Sequence, residues 1–146
     1  MSTAPFVIER TYNAPVSKIW EAITGKDQMK RWYFDVSAFK PEPGFEFQFV
    51  GEDPQGVKYV HLCKVIELVF EKKLSYSWRY QGFAGHSVVT FELFDEGKKT
   101  RLKLTHEGLD SFPSNNPAFD QKNFAEGWAY IIGKSLKQFI EQSNTE

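Results

Sequence analysis

The last stretch of the chain constrains the fold most. From Pro117 to Gln142, the residues Phe124, Trp128, Ile131, Ile132, Ser135, Leu136 and Phe139 recur at spacings of three and four. That period predicts one long amphipathic helix with a single apolar stripe. Asn115 or Asn116 is placed to cap it, and Pro117 suits the first helical turn, where a missing N–H leaves no bond unmade. Between Phe45 and Gly108 the period is two instead. A lone helix that follows a run of strands must lay its stripe on the apolar face of their sheet. Whether the two surfaces meet fully or leave a hollow decides what such a chain can do.

The alternation predicts about six strands. Phe6–Tyr12 is the first, followed by a helix over Val16–Thr24 that Gly25 stops, and a shorter helix over Asp27–Trp32 with Asp27 near its cap. After the turn Lys40–Gly44 come a strand over Phe45–Phe49, a hairpin connection at Gly51–Gly56, and strands over Val57–Phe70 and Leu74–Tyr80. Ser87–Asp95 and Arg101–Glu107 complete the run, joined by a turn at Asp95–Lys98. Short polar turns between consecutive strands imply an antiparallel meander with one apolar face and one face of Lys, Arg, Glu and Ser turned to water. At 146 residues without repeat or linker, residues 1–146 read as one domain.

Charge and composition exclude several function classes. Eighteen Lys and Arg nearly balance nineteen Asp and Glu, which argues against a dedicated nucleic-acid binder. No apolar run approaches the roughly 20 residues that span a bilayer, and the first residues carry no secretory signal pattern. With a single cysteine, Cys63, the expectation is a cytoplasmic protein. The anomaly is aromatic content: 14 Phe, 6 Tyr and 4 Trp make 16% of the chain, enough to wall an apolar pocket.

The residues expected to line such a pocket are Phe47, Tyr59, His61, Tyr76, Trp78, Phe91 and His106 from the sheet, roofed by Phe124, Trp128 and Ile131 from the helix. A solid core is the competing reading, in which each hydroxyl or imidazole finds a protein partner. The pocket is preferred on a collective ground: Tyr59, His61, Tyr76, Tyr80 and His106 put five polar tips on one buried face, which is costly unless water or ligand reaches them. His61, His106 and Cys63 do not supply the three or four convergent ligands of a zinc site, so no metal or cofactor is expected. Cys63, buried among aromatics, should be an inert thiol, Ser135 a packing residue, and His86 a solvated turn residue. No catalytic residue is assigned and an enzyme is not expected. Gly127 and Gly133 interrupt the last helix; the preferred reading is close packing there, with a soft point that admits ligand as the alternative.

The order of elements resembles the helix-grip fold of the START-like and birch-pollen-allergen superfamily, and within it the family of activator of Hsp90 ATPase homologue-like domains. The residues that carry the likeness are Ala14-Pro15 with Val16, Trp20 and Ile23, then Met29 to Trp32, and Pro43-Gly44 before Phe45 and Phe47. Val65-Ile66-Glu67, Leu74 to Trp78, and Gly127-Trp128 follow in order, so that the resemblance covers roughly Thr3 to Ile140. It implies an α+β fold, a curved antiparallel sheet wrapped around a long C-terminal helix with two short helices after the first strand. It also implies a cavity for a small hydrophobic molecule, aromatic or lipid-like, held as carrier or sensor. A stress-related module that contacts a chaperone is the alternative it implies, and an enzyme using the cavity ranks third.

Overall fold

A computed structural model describes residues 5–33, 36–52, 55–113, 119 and 121–143. Six strands form one antiparallel sheet in the order β1-β6-β5-β4-β3-β2. They are β1 (Phe6–Tyr12), β2 (Glu46–Glu52), β3 (Lys58–Val69), β4 (Lys73–Tyr80), β5 (Ser87–Glu96) and β6 (Lys99–Glu107). The first two strands in sequence are therefore the two edges of the sheet. The chain crosses from one edge to the other through α1 (Val16–Thr24) and α2 (Lys26–Trp32). Pro15 is the N-cap of α1, and Gly25 serves as both its C-cap and the N-cap of α2. Asp27 lies inside the first turn of α2 rather than capping it. There a carboxylate still favours the positive end of the helix.

The alternation predicted for the strands is the alternation observed. Tyr76, Trp78 and Tyr80 of β4, Val89, Phe91 and Leu93 of β5, and Leu102, Leu104 and His106 of β6 are all buried. One detail differs from the two-faced expectation: Ser75 and Ser77, on the outer face of β4, are buried as well. Each is a small residue tucked among its cross-strand neighbours, where Ser75 Oγ pairs with Thr90 Oγ1 at 3.1 Å and Ser77 Oγ accepts from the Lys64 N–H at 3.1 Å. A bulge between Val65 and Glu67 breaks the β3–β4 register. An extra residue there bends the strand and strengthens the local twist of the sheet.

Helix runs unbroken from Gln121 to Ser143, but not as one α-helix. An α-helix α3 (Gln121–Tyr130) passes through a π-helical turn, Ile131–Ser135, into α4 (Leu136–Ser143). The predicted start at Pro117 and the caps at Asn115 and Asn116 lie outside the described residues. A π turn spaces its hydrogen bonds one residue wider and so disturbs the carbonyl ladder. Two side chains from elsewhere brace that region: the buried Tyr12 hydroxyl donates to the Ile132 carbonyl at 2.5 Å, and Ser135 Oγ donates to the Trp32 carbonyl at 2.7 Å. Ser135 thus ties the last helix to the end of α2. Leu136 and Ile140 are fully buried and Phe139 is half-buried under the Arg31 guanidinium at 5.2 Å, so the stripe of the second half packs on protein.

Candidate functional site

The first half of the same helix meets the sheet through Trp128 and Phe124 but leaves a gap at one end of it. A cleft of about 420 Å³ lies between α3 and the ends of β2, β3 and β4, lined by Tyr59, His61, Trp78, Tyr80, Phe119, Phe124, Trp128 and Ile131, with Gly51, Glu52, Asn123, Glu126 and Gly127 at its border. Six of the ten residues expected to line a pocket are in this wall: Tyr59, His61, Trp78, Phe124, Trp128 and Ile131. Phe47, Tyr76, Phe91 and His106 lie deeper and are packed against protein. The hollow is therefore confined to one end of the sheet.

Tyr33 is the reason. It follows α2, and its ring stacks on Trp128 (centroids 6.1 Å apart, 18° between planes) and meets Phe49 at 5.6 Å. Its hydroxyl pairs with the Tyr76 hydroxyl at 2.7 Å. Phe47 sits edge-on to Tyr76 at 5.1 Å and to Phe39 at 5.2 Å, and Phe91 is edge-on to Trp128 at 6.3 Å. Together these rings fill the inner end with protein. The sequence places Tyr33 on the apolar side of a short helix, and nothing in its local pattern shows that it wedges between sheet and roof.

His106 is held by a chain of hydrogen bonds that leaves one tautomer. The Trp128 indole N–H donates to Nδ1 at 3.0 Å, so Nδ1 carries no proton. Nε2 lies 2.8 Å from Ser87 Oγ, which spends its own hydrogen on the Trp78 carbonyl at 3.0 Å. Nε2 must therefore be the protonated nitrogen, and the ring is a neutral strut between the roof helix and β5. Burial lowers its pKa to about 3, with repulsion from His61 adding to the effect. His61 is lowered to about 4 by burial, against the pull of backbone hydrogen bonds to Tyr59 and Phe49. Its ring stacks on Phe49 with centroids 4.4 Å apart. Gly51 makes that position possible, since a Cβ there would lie 2.7 Å from His61 Cε1.

The argument from five polar tips is thus answered mostly inside the protein. Tyr76 has Tyr33, His106 has Ser87 and Trp128, and His61 has the Tyr59 carbonyl at 3.0 Å. No buried side-chain nitrogen or oxygen among the described residues lacks a partner. Tyr80 keeps something in reserve. Its hydroxyl accepts the Trp78 indole N–H at 2.9 Å, and its own proton meets no acceptor among the described residues. Tyr80, one of the five polar tips read from the strand alternation, lines the cleft. Phe119, Glu52, Asn123 and Glu126 were missed because they border the cleft from a loop, a strand end and the outer turn of a helix, where periodicity carries no signal.

Gly127 corrects the expectation of close packing. A Cβ built there meets nothing within 4 Å among the described residues, whereas one at Gly133 would touch the Arg10 guanidinium at 3.4 Å. The first glycine borders open space; the second adjoins a neighbouring strand. Cys63 is buried and its thiol is pushed well up from the ordinary range, as expected for an inert residue. His86 is exposed. Among the described residues, no three His, Cys, Asp or Glu side chains converge as a metal site requires, and no helix is long and apolar enough to cross a membrane.

Comparison with solved structures returns the same architecture. Protein MLL2253 of Mesorhizobium loti superposes with a TM-score of 0.77 at 26% identity, over 98% of this chain and 99% of that one. CalU16 of Micromonospora echinospora matches at 24% identity and a TM-score of 0.72, covering 93% of this chain and 75% of its own. DynU16, a putative protein of the dynemicin biosynthetic locus, matches at 18% identity and a TM-score of 0.78; the alignment covers 97% of this chain but only 48% of DynU16. No curated protein sequence matches. The family model for activator of Hsp90 ATPase homolog 1-like proteins matches residues 13–141, nearly the whole of the helix-grip fold described above, and the chain belongs to that family.

Proposed function

We propose that the chain binds a small, largely aromatic molecule in the cleft between β2–β4 and α3, as a carrier or sensor. One observation carries the reading: the stripe of the last helix is sealed against protein in its second half, and left open over an aromatic wall in its first. A cleft of about 420 Å³ falls within the usual range for small-molecule sites. Flat walls from Tyr59, Trp78, Phe119, Phe124 and Trp128 favour ring systems, because stacked and edge-on contacts add to the gain from removing apolar area from water. Tyr80 supplies one polar group to orient the guest, by donating its proton to an oxygen or nitrogen. His106, with both nitrogens engaged and no charge near neutral pH, is a poor candidate for acid–base work.

The test is native mass spectrometry of the protein purified from its own source, together with the emission of the cleft tryptophans on titration with aromatic compounds. A retained small molecule, lost in a Gly127→Leu variant that fills the cleft, is the expected result. Equal retention by that variant would place the molecule elsewhere and sink the proposal.

A further inference from the structure

The charge at the mouth of the cleft selects among aromatic guests. Two carboxylates, Glu52 at the end of β2 and Glu126 on α3, border the opening, and no Lys or Arg does. Neither carboxylate lies within ion-pair distance of a described Lys, Arg or His. The nearest cations in sequence, Lys58 opposite Glu52 on β3 and Lys122 next to Asn123, are outside the lining. His61 is the one imidazole in the wall, and it is neutral near pH 7. An anionic guest would therefore bring its charge to two carboxylates with no Lys or Arg in the lining to receive it. A cationic guest would find both carboxylates and, in the same lining, the rings of Tyr59 and Phe119, whose electron-rich faces attract an ammonium.

We infer that the cleft selects a protonated aromatic amine, with its ring system against Trp78 and Trp128 and its ammonium at the mouth between Glu52 and Glu126. This rests on the cleft being the binding site, as proposed above, and adds the chemical class of the guest.

Three probes of matched shape separate the possibilities: 2-(1-naphthyl)ethylamine, 1-naphthaleneacetamide and 1-naphthaleneacetate, titrated calorimetrically into the wild type and a Glu52→Gln/Glu126→Gln double variant. Two carboxylates at a half-solvated mouth should make the amine about tenfold tighter than the amide, and the acetate about tenfold weaker again. High salt should compress that order, and the double variant should bring all three within about twofold. Both glutamates are exposed, so the double variant should melt as the wild type does. Amide or acetate binding as tightly as the amine would overturn the charge inference and leave the cleft as a binding site. Binding of none of the three would overturn both.

Discussion

Replacing Gly127 by alanine is expected to stabilise this protein while beginning to fill its cleft. In the middle of α3 a glycine lowers helix stability by about 0.8–1.0 kcal/mol relative to alanine, because more backbone freedom is lost on folding. That gain is usually offset when the new methyl group collides with something. Here it does not, since an added Cβ meets nothing within 4 Å among the described residues. The expected change is close to the full propensity difference, about 1 kcal/mol, or a rise in melting temperature of about 2–4 °C for a chain of this size. Gly127→Leu should keep most of that gain and extend an isobutyl group into the space lined by Trp78, Tyr80 and Phe124. Chemical denaturation with urea gives the stability, and titration of an aromatic probe against tryptophan emission gives the binding. A glycine retained for packing would show the opposite: lower stability in the alanine variant, with binding untouched in the leucine variant. Either result alone would refute the reasoning, the first on the space and the second on its use.

Acid should destabilise the fold in a defined window. Both His61 and His106 have folded-state pKa values below the unfolded value of 6.5, so the unfolded chain binds protons first as the pH falls. Stability contributed by neutral burial is fully present above pH 6.5 and is lost between there and about pH 4 for His61 and about pH 3 for His106, at about 1.4 kcal/mol per pH unit for each ring. Imidazole resonances followed by NMR should stay neutral at pH 5.5, and titration of either ring near 6.5 would remove this account. Tyr12→Phe should cost about 1–3 kcal/mol by leaving the Ile132 carbonyl without its 2.5 Å donor at the π turn; a change below about 0.5 kcal/mol in urea melts would mean the carbonyl finds another partner. Trp128→Phe should unlink the roof from His106, lowering stability by several kcal/mol at most through the lost volume and bond, and the Nδ1 nitrogen-15 shift of His106 should move as it loses its donor while Nε2 keeps its proton toward Ser87.

The fold was legible because its two periods do not overlap. Leu74, Tyr76, Trp78 and Tyr80 alternate without a break, and the stripe from Phe124 to Phe139 follows the helical period closely enough to name its own partner surface. Half the cleft was legible for the same reason: a buried aromatic on a strand face opposite a buried aromatic on a helix is a contact or a hollow. Which of the two depended on a third element. Tyr33 fills the space at Tyr76 and leaves it open at Tyr80, and its reach is set by where α2 ends against the sheet, a long-range fact absent from any local window. Hydrogen-bond partners were hidden in the same way. The pairing of Trp128 with His106 joins residues 22 apart in sequence, and that of Tyr12 with Ile132 joins residues 120 apart. The two glycines looked alike in sequence and differ only in what stands over them.

The π turn at Ile131–Ser135 has a consequence for any change in chain length within this helix. Each residue of an α-helix advances by about 100° around its axis, so one residue more or less between the two halves swings one against the other like a mis-set gear. Behind the turn, Leu136 and Ile140 are seated in the core and would hold their position. Ahead of it, Phe124 and Trp128 would be carried off the aromatic wall. Deleting a single residue there should make the roof present a different set of side chains to the same floor. A short segment that begins at the cleft wall, with Ile131, and runs back into the core therefore governs which residues a guest would meet.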